Sequence, residues 1–139
     1  MRCSDMVVVI LAIGLAQAAA LGAQTAGDTS RSQEKSILIA LKSDLRNLVR
    51  AQEQYYYDHN EYAHSMDGLK YKPNVGDSVR LTVAAKRGWA AQARTPALPV
   101  ECIIFVGLPS ADQPRTANNK LTGGEGEPIC DLDPTQSKR

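Results

Sequence analysis

His59, Glu61, His64 and Asp67 fall within nine positions of one another, and imidazoles mixed with carboxylates form a donor set that zinc or copper accepts. Their spacing matches no zinc motif, and a histidine beside the last turn of a helix is equally explained by the negative pole of the helix dipole. A second group, Asp112, Glu125, Glu127, Asp131 and Asp133, offers the hard oxygen ligands that calcium takes, without an Asp-x-Asp-x-Asp-Gly pattern. For both groups, solvated acids in loops are the simpler reading, and no other cofactor is expected. Nucleophilic catalysis has less support: the chain holds no Gly-x-Ser-x-Gly element and no phosphate-binding glycine pattern ahead of a helix. Carboxylate pairs such as Asp58 with Glu61 lie where no apolar wall would raise a pKa. The expectation is a protein that is not an enzyme.

These residues need a frame, and residues 43–63, SDLRNLVRAQEQYYYDHNEYA, supply its main piece. Leu38, Leu41, Leu45, Leu48, Gln52 and Tyr55 recur at steps of three and four, which aligns them along one helical stripe, while Lys42, Arg46, Arg50 and Glu53 lie off it. The helix is expected over about 32–58, capped by Ser30 or Ser32, with Glu34 near its positive end. At about 26 residues and 1.5 Å per residue it would outrun a small sheet. Its first turns, with Ile37, Leu38 and Leu41, are therefore candidates for a partner surface, the alternative being that the domain covers them itself. Consecutive helical residues point about 100° apart, so Tyr55, Tyr56 and Tyr57 cannot all face the core. Tyr55 and Tyr62 suit the core; Tyr56 or Tyr57 must look outward, at a rim or an interface.

Beyond the helix, Asp67-Gly68 signals a turn. Residues 78–85 read as a strand with Val79, Leu81 and Val83 on one face. Lys86-Arg87-Gly88 reads as a hairpin turn, and residues 89–93 return with Trp89, Ala91 and Ala93 alternating. Residues 101–107 form a continuous apolar strand, and a short fourth strand is expected near 128–132. The fold class is α+β: one long N-terminal amphipathic helix on a 3–4-stranded antiparallel sheet over about 78–107, Val83, Trp89 and Ile104 facing the helix. Residues 24–33 (an exposed arm), 108–128 and 133–139 (a tail) are expected to lack regular structure.

Residues 6–23 carry no charge and end in small residues, as a signal peptide cut after Gly22 or Ala23 does, although a retained anchor is the alternative. The 139 residues then divide into a leader at 1–23, one domain at 24–132 and the tail. Either way the domain is expected outside the cytoplasm, periplasmic, secreted or at the cell surface, touching the inner membrane only if the leader stays. Cys3 leaves with the leader, and the remaining pair, Cys102 and Cys130, is what an exported small domain joins in a disulfide; two buried thiols are the alternative. The formal net charge of +1 gives no footprint for nucleic acid.

The run Ser43-Asp44-Leu45-Arg46-Asn47-Leu48, with Ala51-Gln52-Glu53, Tyr55, Tyr56, Asn60, Tyr62, the Gly88-Trp89 pair and Cys102 with Cys130, resembles the headgroup of type IV pilins and pseudopilins over about 35–131. That resemblance implies a pilin-like fold with a C-terminal disulfide loop at 102–130. It also implies a non-catalytic subunit of a pilus or pseudopilus-type assembly, whose partners are other pilin-like subunits or a surface receptor. Some pseudopilins fix the late loop with calcium, which the resemblance extends to the second acidic group here. The Gly-Phe-Thr-Leu-Ile-Glu-like processing motif of prepilins is not present: Asp5 precedes the apolar run, which holds no acidic residue. A free periplasmic or secreted binding module on the same scaffold is the alternative function.

Overall fold

A computed structural model of the chain describes the backbone from Ala18 and the side chains from Gly27, leaving out residues 75, 121 and 132–139. The chain separates into two compact units, Met1–Glu34 and Lys35–Arg139. Helix α1 (Ala18–His59) contributes to both. In the second unit it is followed by a 3-10 turn (Met66–Gly68), strands β1 (Ser78–Ala85), β2 (Gly88–Thr95) and β3 (Leu98–Val106), a second 3-10 turn (Ser110–Asp112) and β4 (Ile129–Cys130). The sheet is antiparallel in the order β1-β2-β3-β4.

The helix starts earlier than its apolar stripe. Residues 24–33, expected as an arm without regular structure, continue the same helix, and the expected cleavage point after Gly22 or Ala23 falls within its second described turn. No proline occurs before Pro73, so nothing in this stretch forces a break. Every described side chain from Gly27 to Ser36 is exposed, as suits a run of polar and charged residues with no apolar face. Among the described residues no helix is long and apolar enough to cross a membrane; most of the apolar run 6–21 lies outside them, as does the tail 133–139.

From Leu41 on, the stripe dictates the packing. Leu41, Leu45, Leu48 and Gln52 are wholly buried, and the leucines share a core with Trp89, Ala91, Ala93, Cys102 and Ile104 from the strands. Ala91 and Ala93 on β2 are buried there with Trp89, whose Nε1 finds no partner among the described residues.

Strand β1 corrects one expectation. Leu81 pairs with Ala91 but Val83 pairs with Ala90, so one extra residue, Thr82, sits in β1 as a bulge. A one-residue slip exchanges the two faces of a strand. Val79 and Leu81 therefore join the helix-side core, whereas Val83 turns to the other face with Ala90 and is absent from that core. Strand β3 begins at Leu98 rather than Glu101, because Pro96 and Ala97 form a tight second turn and Pro99 is accommodated where the register shifts beside Thr95.

The second face of the sheet is also covered. Ala90, Gln92, Ile103, Phe105 and Ile129 are buried although they point away from the helix-side core. The irregular segment between β3 and β4 is tied to β3: Gly126 N–H donates to the Phe105 carbonyl at 2.8 Å, and Ala117 N–H to the Glu101 carboxylate at 3.1 Å. At the closed end Gly88 and Gly107 approach so tightly that a Cβ on Gly88 would meet the Gly107 carbonyl oxygen at 2.5 Å, and one on Gly107 would strike the Arg87 carbonyl. Gly107 also has φ 67°, a conformation that glycine adopts at little cost.

Candidate functional site

Three polar constructions dominate the unit, and each ties one element to another. The first fixes the chain leaving α1. Wholly buried Gln52 donates from Nε2 to the Ala63 carbonyl at 3.2 Å and accepts from Ala63 N–H at 2.9 Å, so its side-chain amide pairs with a backbone amide as a neighbouring strand would. Asn60, at φ 58°, ends the helix in the left-handed conformation and donates N–H to Tyr56 at 2.7 Å. Tyr62 N–H donates to Lys86 at 3.1 Å, which joins this turn to the β1–β2 hairpin.

The tyrosines sort as their helical directions require. Tyr62 is buried, edge-on to Trp89 at 6.4 Å between ring centres, and its hydroxyl donates to Glu53 at 2.9 Å. Burial and the Glu53 carboxylate push its phenol up to about 12. Tyr55 is half-buried against the core and stacks on His59; Tyr56 is half-buried on Tyr62; Tyr57 is 86% exposed.

The second construction crosses the far face of the sheet. Arg80 on β1 donates to Gln92 Oε1 at 3.0 Å, Gln92 Nε2 donates to Glu101 at 3.1 Å, and Arg94 clasps the same Glu101 carboxylate through Nε at 2.8 Å and through Nη2. With Ala117 N–H on its other oxygen, buried Glu101 is fully engaged. A cavity of about 260 Å³ opens beside it, lined by Arg94, Leu98, Glu101 and Asn118 among others. The sequence offered one signal for this ladder: Arg80, Gln92 and Arg94 are polar at alternate strand positions, facing a lone acid at the head of an apolar strand.

The third construction is the late loop. Cys102 and Cys130 are directly opposed on β3 and β4 and form a disulfide, with Cα atoms 4.0 Å apart and both side chains fully buried. Beside it, buried Asp131 accepts from Asn118 Nδ2 at 3.1 Å and Asn119 N–H at 3.3 Å, while Asn119 Nδ2 donates to the Asp131 carbonyl. Asp131 N–H in turn donates to Glu101 at 3.1 Å.

This geometry places the residues singled out by their types. His59 bonds through Nδ1 to the Tyr55 carbonyl at 2.9 Å at the exposed helix end, His64 and Asp67 are exposed, and Glu61 is half-buried. A cavity of about 290 Å³ beside them is lined by Tyr55, Asp58, His59, Leu69 and Lys70 among others. Glu125 accepts from Gly107 N–H at 2.7 Å, Glu127 lies 3.9 Å from Arg46, and Asp112 is in the second 3-10 turn. Asp133 lies outside the described residues. Neither set converges: among the described residues no three His, Cys, Asp or Glu side chains gather as a metal site.

Of the expected partner surface, Leu41 is wholly buried in the domain's own core and can offer nothing outward, and Ile37 and Leu38 are half-buried against that core. The helix instead exposes Ile39, at 59%, and Tyr57. These two are 18 residues apart, about five turns, and so lie on one line of the helix surface, with Arg46 and Arg50 exposed close to that line between them. Comparison with protein-family models, characterised proteins and solved structures found no match.

Proposed function

We propose that the protein is an exported, non-enzymatic pilin-like structural or interaction subunit, working through helix α1 and its disulfide-closed loop in a pilus or pseudopilus-type assembly. The supporting observation is the second unit's design: a helix on one face of an antiparallel sheet, a late loop closed by the Cys102–Cys130 bridge, with Gln52, Glu101 and Asp131 all engaged in holding segments together. A buried disulfide suits an oxidising compartment outside the cytoplasm. Catalysis has no group to carry it in this reading, and binding falls to surfaces such as the Ile39–Tyr57 line.

The test is the mature N-terminus and location of the native protein. Membrane-bound protein with residues 6–21 intact, crosslinking into oligomers, supports the subunit. A soluble, monomeric protein starting near residue 24 converts the reading to a free binding module on the same scaffold. Protein retained in the cytoplasm with free thiols defeats both.

A further inference from the structure

Two acids of α1 serve opposite sides of the helix. Asp44 is buried, and its carboxylate accepts from Asn74 N–H at 3.1 and 3.2 Å and from Asn74 Nδ2 at 2.7 Å, which ties the connection before β1 to the helix. Glu53, nine residues on, points the other way and is exposed. It accepts from Tyr62 O–H at 2.9 Å, and Glu125 acts electrostatically on the same hydroxyl while accepting from Gly107 N–H at 2.7 Å. Glu127, on the same loop, lies 3.9 Å from Arg46, both side chains being more than half exposed. Three acids thus flank the exposed side of α1 from the level of Arg46 towards its end.

The opposite sign occupies the start of this face. At 100° per residue, Lys35, Lys42, Arg46 and Glu53 all fall on one side of the Ile39–Tyr57 line, within about 60° of it. Arg50 falls about 20° to the other side and leans further that way, donating from Nη1 to Asn47 at 3.3 Å. The face is therefore bipolar: apolar at each end, basic towards Ile39 and acidic towards Tyr57. Such a face is complementary to itself when turned end for end, which is what a two-fold axis does.

We propose that this face of α1 pairs with the same face of a second copy of the chain, antiparallel, about a two-fold axis at the level of Leu48. Leu48 is midway between residues 39 and 57, so Ile39 packs on the partner's Tyr57, and Lys42 meets the partner's Glu53. At the axis Arg46 and Glu127 of both copies form four alternating charges. A parallel pairing would set each of these charges against its own kind. The pairing goes beyond the proposed function, since it holds for a filament subunit and for a free module alike.

The experiment uses the full chain with Cys3→Ser, followed by sedimentation and by oxidative crosslinking. The expected result is a dimer that weakens as salt rises from about 0.1 M to 1 M, where the screening length falls from about 10 to 3 Å. Ile39→Cys protein mixed with Tyr57→Cys protein should crosslink, whereas Ile39→Cys protein alone should not, because its two thiols would stand about 27 Å apart. Lys42→Glu with Arg46→Glu should weaken dimerisation by tenfold or more, as should Glu53→Lys with Glu127→Lys, and mixing the two folded double variants should restore it. A monomer at every concentration, crosslinking of Ile39→Cys protein with itself, or double variants that pair no better mixed than alone overturns the proposal. Each of these results leaves the export and assembly reading to be decided by the mature N-terminus.

Discussion

At the scale of single residues, Gln52 shows how a polar side chain becomes part of a core. Its place on the leucine stripe is plain in the spacing, but its partner, eleven residues on, is not, because a glutamine gives no hint of which backbone amide it will satisfy. Gln52→Leu keeps the apolar volume and strands the buried Ala63 N–H and C=O, each unsatisfied group costing about 1–3 kcal/mol. Urea unfolding should show a loss of about 2 kcal/mol or more, and an unchanged midpoint would mean that water serves Ala63 as well. Tyr62 carries a pH signature. Because its folded-state phenol is pushed up to about 12, the native chain keeps a proton that the unfolded chain releases near 10. The contribution of this group is constant below about pH 10 and is lost as pH rises from 10 towards 12. In Tyr62→Phe that alkaline slope should diminish, Tyr71 supplying the remainder with the same sign, since burial raises it too. Thermal melts between pH 9 and 11.5 measure the difference. The leucines, Tyr62 and outward Tyr57 were legible because direction on a helix follows from position alone. Asp44, Glu101 and the Gln52 partnership were not, because they depend on which segments fold together.

At the scale of elements, β1 and β2 with their Lys86-Arg87 turn could be read from alternation and turn residues, and β3 from its apolar run. The bulge at Thr82 could not: alternation continues unbroken through Val83, and only the pairing with Ala90 and Ala91 reveals the extra residue. Pro96 and Pro99 hid the start of β3, since prolines argue against strand until a tight turn and a register shift make room for them. The segment between β3 and β4 reads as an irregular loop and is one, yet it is bonded to β3 at Glu101 and Phe105, on a strand whose Ile103 and Phe105 are buried on the face away from the helix. That role gives the disulfide its consequence. The Cys102–Cys130 bridge closes a loop with a sequence separation of 28, for which chain entropy predicts about 3.5 kcal/mol. The Cys102→Ala, Cys130→Ala double variant should lose about that much in guanidinium unfolding. It should also bind a hydrophobic dye before global unfolding, as the loop lifts from Ile103 and Phe105. A double variant of unchanged stability would show that the Asp131 and Glu101 hydrogen bonds hold the loop unaided.

At the scale of the whole molecule, the α+β class and the disulfide followed from helical period, strand alternation and cysteine count; the extent of α1 did not. Gly27, Thr29, Ser30 and Ser32 are weak helix formers that resemble a linker, whereas the helix runs through them with every described side chain from Gly27 to Ser36 in solvent. Within Lys35–Arg139 the core consumes Leu41 and leaves the Ile39–Tyr57 line as the large exposed apolar side chains on α1. Both residues are large, apolar and exposed, so replacing them should alter folding stability by no more than about 0.5 kcal/mol. If this line is where a neighbouring subunit sits, truncating aromatic Tyr57 should be the more costly change, since buried aromatics dominate interface energetics. Tyr57→Ala should weaken crosslinking of the native assembly by tenfold or more, and Ile39→Ser by less. The control is Glu61→Gln, a half-buried position beyond the end of the helix, which should leave assembly intact. Folded Tyr57→Ala protein that assembles normally would move the interface off this face of α1, leaving the disulfide loop as the surface to probe.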